Sequence, residues 1–148
     1  MTTLEQSGLG AAARGSAWLY PLANLAHVLG AALLVGAIAT FDVQLLRRAP
    51  HLRTTYRAAM PVAAIGLALQ IVSGVVLLSA DATAVARNPA FQFKMAMFVL
   101  GLVNVAVFYW RYGGTLEADT PLDRGGFAAV SLASWVLVLL AGRATAYI

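Results

Sequence analysis

The groups able to do chemistry in this 148-residue chain are few: two histidines, His27 and His51, four methionines, six carboxylates and no cysteine. Without cysteine there are no disulfides, thiolate metal centres or cysteine nucleophiles. The sequence has no glycine-rich phosphate cradle, no HExxH helix, no GxSxG elbow and no pair of carboxylates spaced for hydrolysis. What stands out is an imidazole, His27, inside a long apolar run. Lys94, Met97 and Arg143 lie in two other apolar runs. A neutral imidazole ligates iron or another metal, or relays protons. Lysine and arginine inside apolar runs either extend to an interface or pair with an anion such as a carboxylate.

The elements that must position these groups follow from composition. Hydrophobic residues make up 61% of the chain and charged residues 11%, against about 25% charged in an ordinary soluble domain. The excess apolar surface needs lipid as its solvent. Helices of about 20 residues cross a bilayer core, and four apolar runs meet that length, at about 18–46, 56–80, 91–110 and 126–147. The expected fold is an all-α, integral membrane four-helix bundle, a single domain over residues 1–148. Pro50 between basic clusters ends the first span, Asn88-Pro89 opens the third, and Gly113-Gly114 with Asp119-Thr120-Pro121 mark the loop before the fourth. Pro61 places the effective start of the second helix near Ala59. Residues 3–13 are a candidate short interfacial helix, and the N-terminus lacks the basic segment of a secretory signal.

The net charge of +4 does not point to nucleic acid, because the basic residues sit at the ends of apolar runs. Arg47, Arg48, Arg53, Arg57, Arg111 and Arg124 fall on one side. The positive-inside rule makes that side cytoplasmic and both termini periplasmic, in the inner membrane of a bacterium. Trp18, Tyr20, Tyr109, Trp110 and Tyr147 fall at span ends, as an aromatic belt does. Small residues four apart, Ala26–Gly30, Ala32–Gly36 and Gly66–Gln70–Gly74, suit close helix packing.

A rise of about 1.5 Å per residue puts His27 roughly 13 Å, Gln70 roughly 15 Å and Ser73 roughly 10 Å below the outer surface, with Lys94 and Arg143 roughly 5 and 7 Å in. Asn24 lies a turn shallower than His27, and Met97 a turn deeper than Lys94. All four helices thus contribute polar groups to the outer half, where isolated polarity is costly and calls for a partner or a purpose. One histidine beneath two shallow cations suits haem b, with His27 on the iron and Lys94 and Arg143 facing propionates. His51 reads as solvated in the basic loop. Met97 is a candidate thioether ligand; otherwise the iron is five-coordinate, or the haem is shared across a dimer. Asp42 reads as an interfacial ion-pair partner of Arg47 or Arg111. Asn104, Ser131 and Ser134 read as interhelical hydrogen-bonding groups, and Glu117, Asp119 and Asp123 as a solvated acidic loop.

Several stretches resemble an uncharacterised bacterial four-helix membrane family. These are "LAHVLGAALLVGAIATFDVQLLRR", "NPAFQFKMAMFVLGLVNVAVFY" with its N-P-x-F-x-x-K pattern, and "SLASWVLVLLAGRATAY" with Ser131, Trp135, Gly142, Arg143 and Tyr147 in an S-L-x-x-W…G-R-x-x-A-Y signature. The family's D-L-R-L-L motif reads Asp42-Val43-Gln44-Leu45-Leu46 here, with Gln44 in place of the arginine. More distantly, the histidine of the first helix and the F-x-x-K of the third resemble copper resistance protein D-like membrane domains. They also resemble the HemJ-type protoporphyrinogen oxidases, four-helix proteins that bind haem b. That resemblance implies functional roles for His27 and Lys94. Relatives often carry a histidine near the end of helix three, where this chain has Tyr109.

The expectation from these residues is a haem b membrane protein passing electrons between a quinone or a periplasmic donor and a partner, with a homodimer expected. The alternatives are a structural or anchor subunit of a membrane complex, a copper-resistance-like transport protein, and a porphyrinogen oxidase.

Overall fold

The computed structural model describes residues 2–50, 52–112, 123–145 and 147, with nothing described of the side chains of 123 and 124. His51, Glu117, Asp119 and the Gly113-Gly114 and Pro121 loop signals lie outside the described residues. The chain is an all-α membrane bundle. Four helices are long and apolar enough to cross a bilayer: α3 (Leu19–Leu46), α4 (Leu52–Ala80), α6 (Pro89–Tyr112) and α7 (Asp123–Ala144). Three short helices, α1 (Thr2–Glu5), α2 (Gly8–Gly15) and α5 (Ala82–Arg87), lie at the His27 end of the bundle.

Local chemistry sets the helix starts. The Ser7 hydroxyl accepts from Gly10 N at 3.2 Å and opens α2, and the Asp81 carboxylate accepts from Ala84 N at 3.4 Å at the start of α5. Asn88 Oδ1 accepts from Ala90 N at 2.9 Å and Phe91 N at 3.2 Å, directly before Pro89. An amide cap followed by a proline whose missing N–H costs nothing is a strong helix start. It sets the beginning of α6 two residues before the expected 91.

Three sequence expectations are corrected here. The helix α4 begins at Leu52 and carries Pro61 in its interior, rather than starting near Ala59. Leu52, Tyr56 and Ala59 pack with Phe41 and Phe108, and that burial holds the first turns. The Arg57 carbonyl freed by the proline belongs to an exposed residue near the helix end. The N-terminal segment forms two short helices rather than one over 3–13, and it is docked. Arg14 donates to the carbonyls of Glu5 at 2.9 Å and Ala80 at 3.2 Å. The Glu5 carboxylate accepts from the Thr83 hydroxyl at 2.7 Å and from Thr83 N at 3.2 Å. The Thr83 hydroxyl, above all, holds the Glu5 carboxyl below its ordinary value of 4.5, with the Arg14 charge adding a smaller pull. Lastly, α7 ends at Ala144 instead of 147, and single turns carry the chain on, with Thr145 N bonded to Ala141 O at 2.9 Å.

Around the bundle, α4 packs on α3, α3 on α7 and α7 on α6. Among the described residues the backbones of α4 and α6 stay apart, leaving between them a cleft that side chains of both helices line, with α3 and α7 at its back. Glycine decides how closely the first pair approaches. A Cβ at Gly66 would stand 2.8 Å from Gly30 O and 2.9 Å from Leu34 Cα, and one at Gly30 would stand 2.9 Å from Gly66 O. The Ala32–Gly36 pair does not serve in this way: Ala32 is exposed, and a Cβ at Gly36 would meet nothing within 4 Å. Trp135, 1% exposed, fills the middle of the bundle with its ring edge-on to Phe98 at 5.8 Å. The belt residues Trp18, Tyr20, Tyr109, Trp110 and Tyr147 are all exposed, toward lipid and its headgroups.

Candidate functional site

His27 lies on the face of α3 that turns toward the cleft, half-buried. Its Nδ1 is 2.9 Å from Ser73 Oγ on α4, and its Nε2 is 3.4 Å from Lys94 Nζ on α6. Gln70 Nε2 donates to the His27 carbonyl at 2.5 Å, tying the backbone of the same turn to α4. These contacts bring His27, Gln70, Ser73 and Lys94 together, as their depths had implied.

The network assigns the imidazole tautomer. The single Ser73 hydroxyl proton is donated to the Leu69 carbonyl one turn earlier in α4. Ser73 Oγ therefore accepts from His27, and Nδ1 carries the proton. The other side of the ring agrees, because an ammonium only donates, so the nitrogen facing Lys94 offers a lone pair. His27 is thereby presented with Nδ1–H held and Nε2 unprotonated, its lone pair facing Lys94. This is the form that ligates a metal or accepts a proton, and the second hydrogen bond fixes the ring's orientation.

Both partners pack against glycines at ordinary contact distance. A Cβ on Gly74 would come within 3.4 Å of His27 Cε1, and one on Gly142 within 3.5 Å of Lys94 Cε and Nζ. The imidazole thus lies over α4 and the lysine stem over α7. The contribution of α7 to this layer is Gly142, where the sequence pointed to Arg143. Successive helical residues point about 100° apart. Arg143 accordingly faces outward, exposed, bonded to the Tyr147 hydroxyl and with its guanidinium 4.8 Å from that ring's centre. Met97 is half-buried one turn along α6 from Lys94, and both ring nitrogens of His27 are already engaged by Ser73 and Lys94. Asn24 is exposed and does not join the layer.

Three other polar residues behave differently from expectation. Asp42 is 4% exposed, and among the described residues it forms no ion pair with Arg47 or Arg111; its Oδ2 has no well-formed hydrogen bond. It sits on the cleft side of α3, lining a cavity, while both arginines are exposed. Asn104 does bond between helices, Nδ2 to Phe127 O at 3.0 Å. Ser134 instead returns its hydroxyl to Val130 of its own helix at 2.7 Å, and Ser131 Oγ has no well-formed hydrogen bond. Among the described residues no three His, Asp or Glu side chains gather as a metal-binding group. No family model, curated protein or solved structure matches this chain.

Proposed function

We propose that this chain is a haem b protein of the bacterial inner membrane that passes electrons between a quinone or a periplasmic donor and a partner, with both termini periplasmic. His27 is its iron ligand through Nε2. The observation that carries the reading is the pair of contacts made by a membrane-embedded imidazole, Nδ1 to Ser73 at 2.9 Å and Nε2 to Lys94 at 3.4 Å, from which the tautomer with an unprotonated Nε2 follows. Held in this way, an axial histidine keeps its orientation and gains basicity from the second hydrogen bond.

Haem would supply one-electron redox chemistry at this level of the bilayer. The chain's own residues do the rest. Gln70 and Ser73 fix the backbone and the ring of His27. Lys94 caps Nε2 at 3.4 Å; with that nitrogen given over to haem, its ammonium would be a cation available to a propionate. Arg143 beside Tyr147 is a second cation on the same side of the membrane. Met97 would be the remaining candidate to hold the group, through its thioether, and a homodimer is part of this reading.

The test is the absorption spectrum of the protein purified in mild detergent and supplied with haem, oxidised and then reduced with dithionite. A Soret band present in the wild type and lost in His27→Ala is the expected result. A wild-type protein that stays colourless after haem is supplied overturns the reading. The His27–Ser73–Lys94 layer would then stand as the polar packing of a structural or anchor subunit.

A further inference from the structure

A second polar centre lies about fifteen residues from His27 along α3, roughly 22 Å at the helical rise, at the arginine-rich end of the bundle. There the cleft between α4 and α6 widens into a cavity of about 280 Å³. Its wall is mostly apolar, with the aromatic rings of Phe41, Tyr56, Phe108, Tyr109 and Phe127 among aliphatic side chains, and the Phe41 ring lies edge-on to Tyr56 at 5.6 Å and to Phe108 at 5.7 Å. Asp42, Asn104 and Ser131, from three different helices, reach the same cavity.

The polar atoms here are incompletely satisfied. Asp42 Oδ2 and Ser131 Oγ are buried without a well-formed hydrogen bond, on residues 4% and 2% exposed, and the two side chains stand close enough to interact with each other. Buried polar groups are nearly always bonded, and an orphan typically costs about 1–3 kcal/mol. Both side chains line one cavity, and the contact between them leaves hydrogen-bonding capacity that a ligand there would complete. Asn104 commits its Nδ2 to the Phe127 carbonyl, so Oδ1 is the amide atom left to accept.

We propose that this cavity binds the ring of a lipid-soluble quinone or quinol. Three features select that class. The ligand enters from lipid, because the cavity lies where the backbones of α4 and α6 stay apart. Its body is an unsaturated ring, because the apolar wall includes five aromatic side chains able to pack against one. Its polar atoms alternate between carbonyl and hydroxyl, because a carboxyl and a serine hydroxyl can each both donate and accept. A lipophilic cation is disfavoured by Arg47, Arg53, Arg57 and Arg111, all exposed at this end. The choice of quinone rests on the redox reading above, whereas the cavity and its orphaned groups do not.

The experiment measures binding of a tritiated ubiquinone with a decyl tail to the full chain in lipid nanodiscs, with empty discs subtracted. Saturable binding is expected for the wild type, and at least tenfold weaker binding for Asp42→Leu. The same loss is expected for Met60→Trp, which fills the cavity from α4 and keeps the carboxyl. Should Asp42→Leu fail to fold, as judged by gel filtration and circular dichroism, Ser131→Ala takes its place. Absence of saturable binding, or wild-type affinity in either folded variant, overturns the proposal. So does Asp42-dependent binding of dodecylamine without binding of the quinone. Soret spectra of the same samples separate the two readings. Asp42-dependent quinone binding in a colourless protein sustains the cavity and removes the haem, and a Soret band without such binding does the reverse.

Discussion

Replacing Ser73 by alanine removes one atom, and the structure specifies what that atom does. Ser73 is 4% exposed, so no water replaces its hydroxyl as the acceptor for His27 Nδ1–H at 2.9 Å. A buried donor left unsatisfied costs about 1–3 kcal/mol, and that is the stability loss expected for Ser73→Ala. The bond from Ser73 to Leu69 stays within one helix and contributes little to this loss. Freed of its anchor, the imidazole can turn over and exchange tautomers, so Nε2 is no longer held toward the cleft. Loss of such a supporting hydrogen bond typically lowers metal affinity about 10–100-fold, and haem affinity should fall within that range. The assay is titration of the apo-protein with haem, followed at the Soret band, alongside thermal unfolding in detergent. Ser134→Ala is the internal control: its serine is equally buried, at 2% exposed, but bonds only to Val130 of its own helix. It should leave haem affinity unchanged. If Ser73→Ala behaves like Ser134→Ala in both measurements, the tautomer argument is wrong, and with it the role given to Nε2.

Two further outcomes follow from the packing and the N-terminal cap. Gly66→Ala drives a methyl into the α3 backbone, 2.8 Å from Gly30 O, and should destabilise the bundle by about 1–3 kcal/mol; Gly36→Ala, with open space around it, should be neutral or slightly stabilising in the same thermal melts. The Glu5 carboxyl is held below 4.5 by Thr83, so its docking contribution is complete above that pH and is lost as the pH falls through the lowered value. A spin label at Ala11→Cys, the sole thiol in an otherwise cysteine-free chain, should become mobile on acidification, and Glu5→Gln should remove that pH dependence; wild-type acid mobilisation in Glu5→Gln would sink the assignment.

How legible each part was depends on its range along the chain. The four spans were legible because crossing lipid is a requirement on local composition, which any window of about 20 residues displays. The start of α6 was legible because Asn88 and Pro89 act within one turn. Depth was legible too, since helical rise is constant, and it placed His27, Gln70, Ser73 and Lys94 in the same half of the bilayer before any contact was known. What depth leaves undefined is direction around each helix. Arg143 and Gly142 share a depth, and only the packing of α7 on α6 decides that the glycine faces Lys94 while the arginine turns away to Tyr147. Asp42 is the same problem in reverse. Its neighbourhood in sequence, beside Arg47 and Arg48, suggests an ion pair, yet its rotation on α3 carries it into the cleft, away from the exposed arginines.

By itself, then, the sequence determined that this is a four-span membrane protein with one imidazole set among polar groups in half of the bilayer, because hydropathy and rise per residue are properties of a single chain segment. The tautomer of His27, the glycine contacts that seat it, the docked N-terminal helices and the orphaned Asp42 were decided only by tertiary structure. Each of these depends on which faces of separate helices meet, and here also on the gap left between the backbones of α4 and α6.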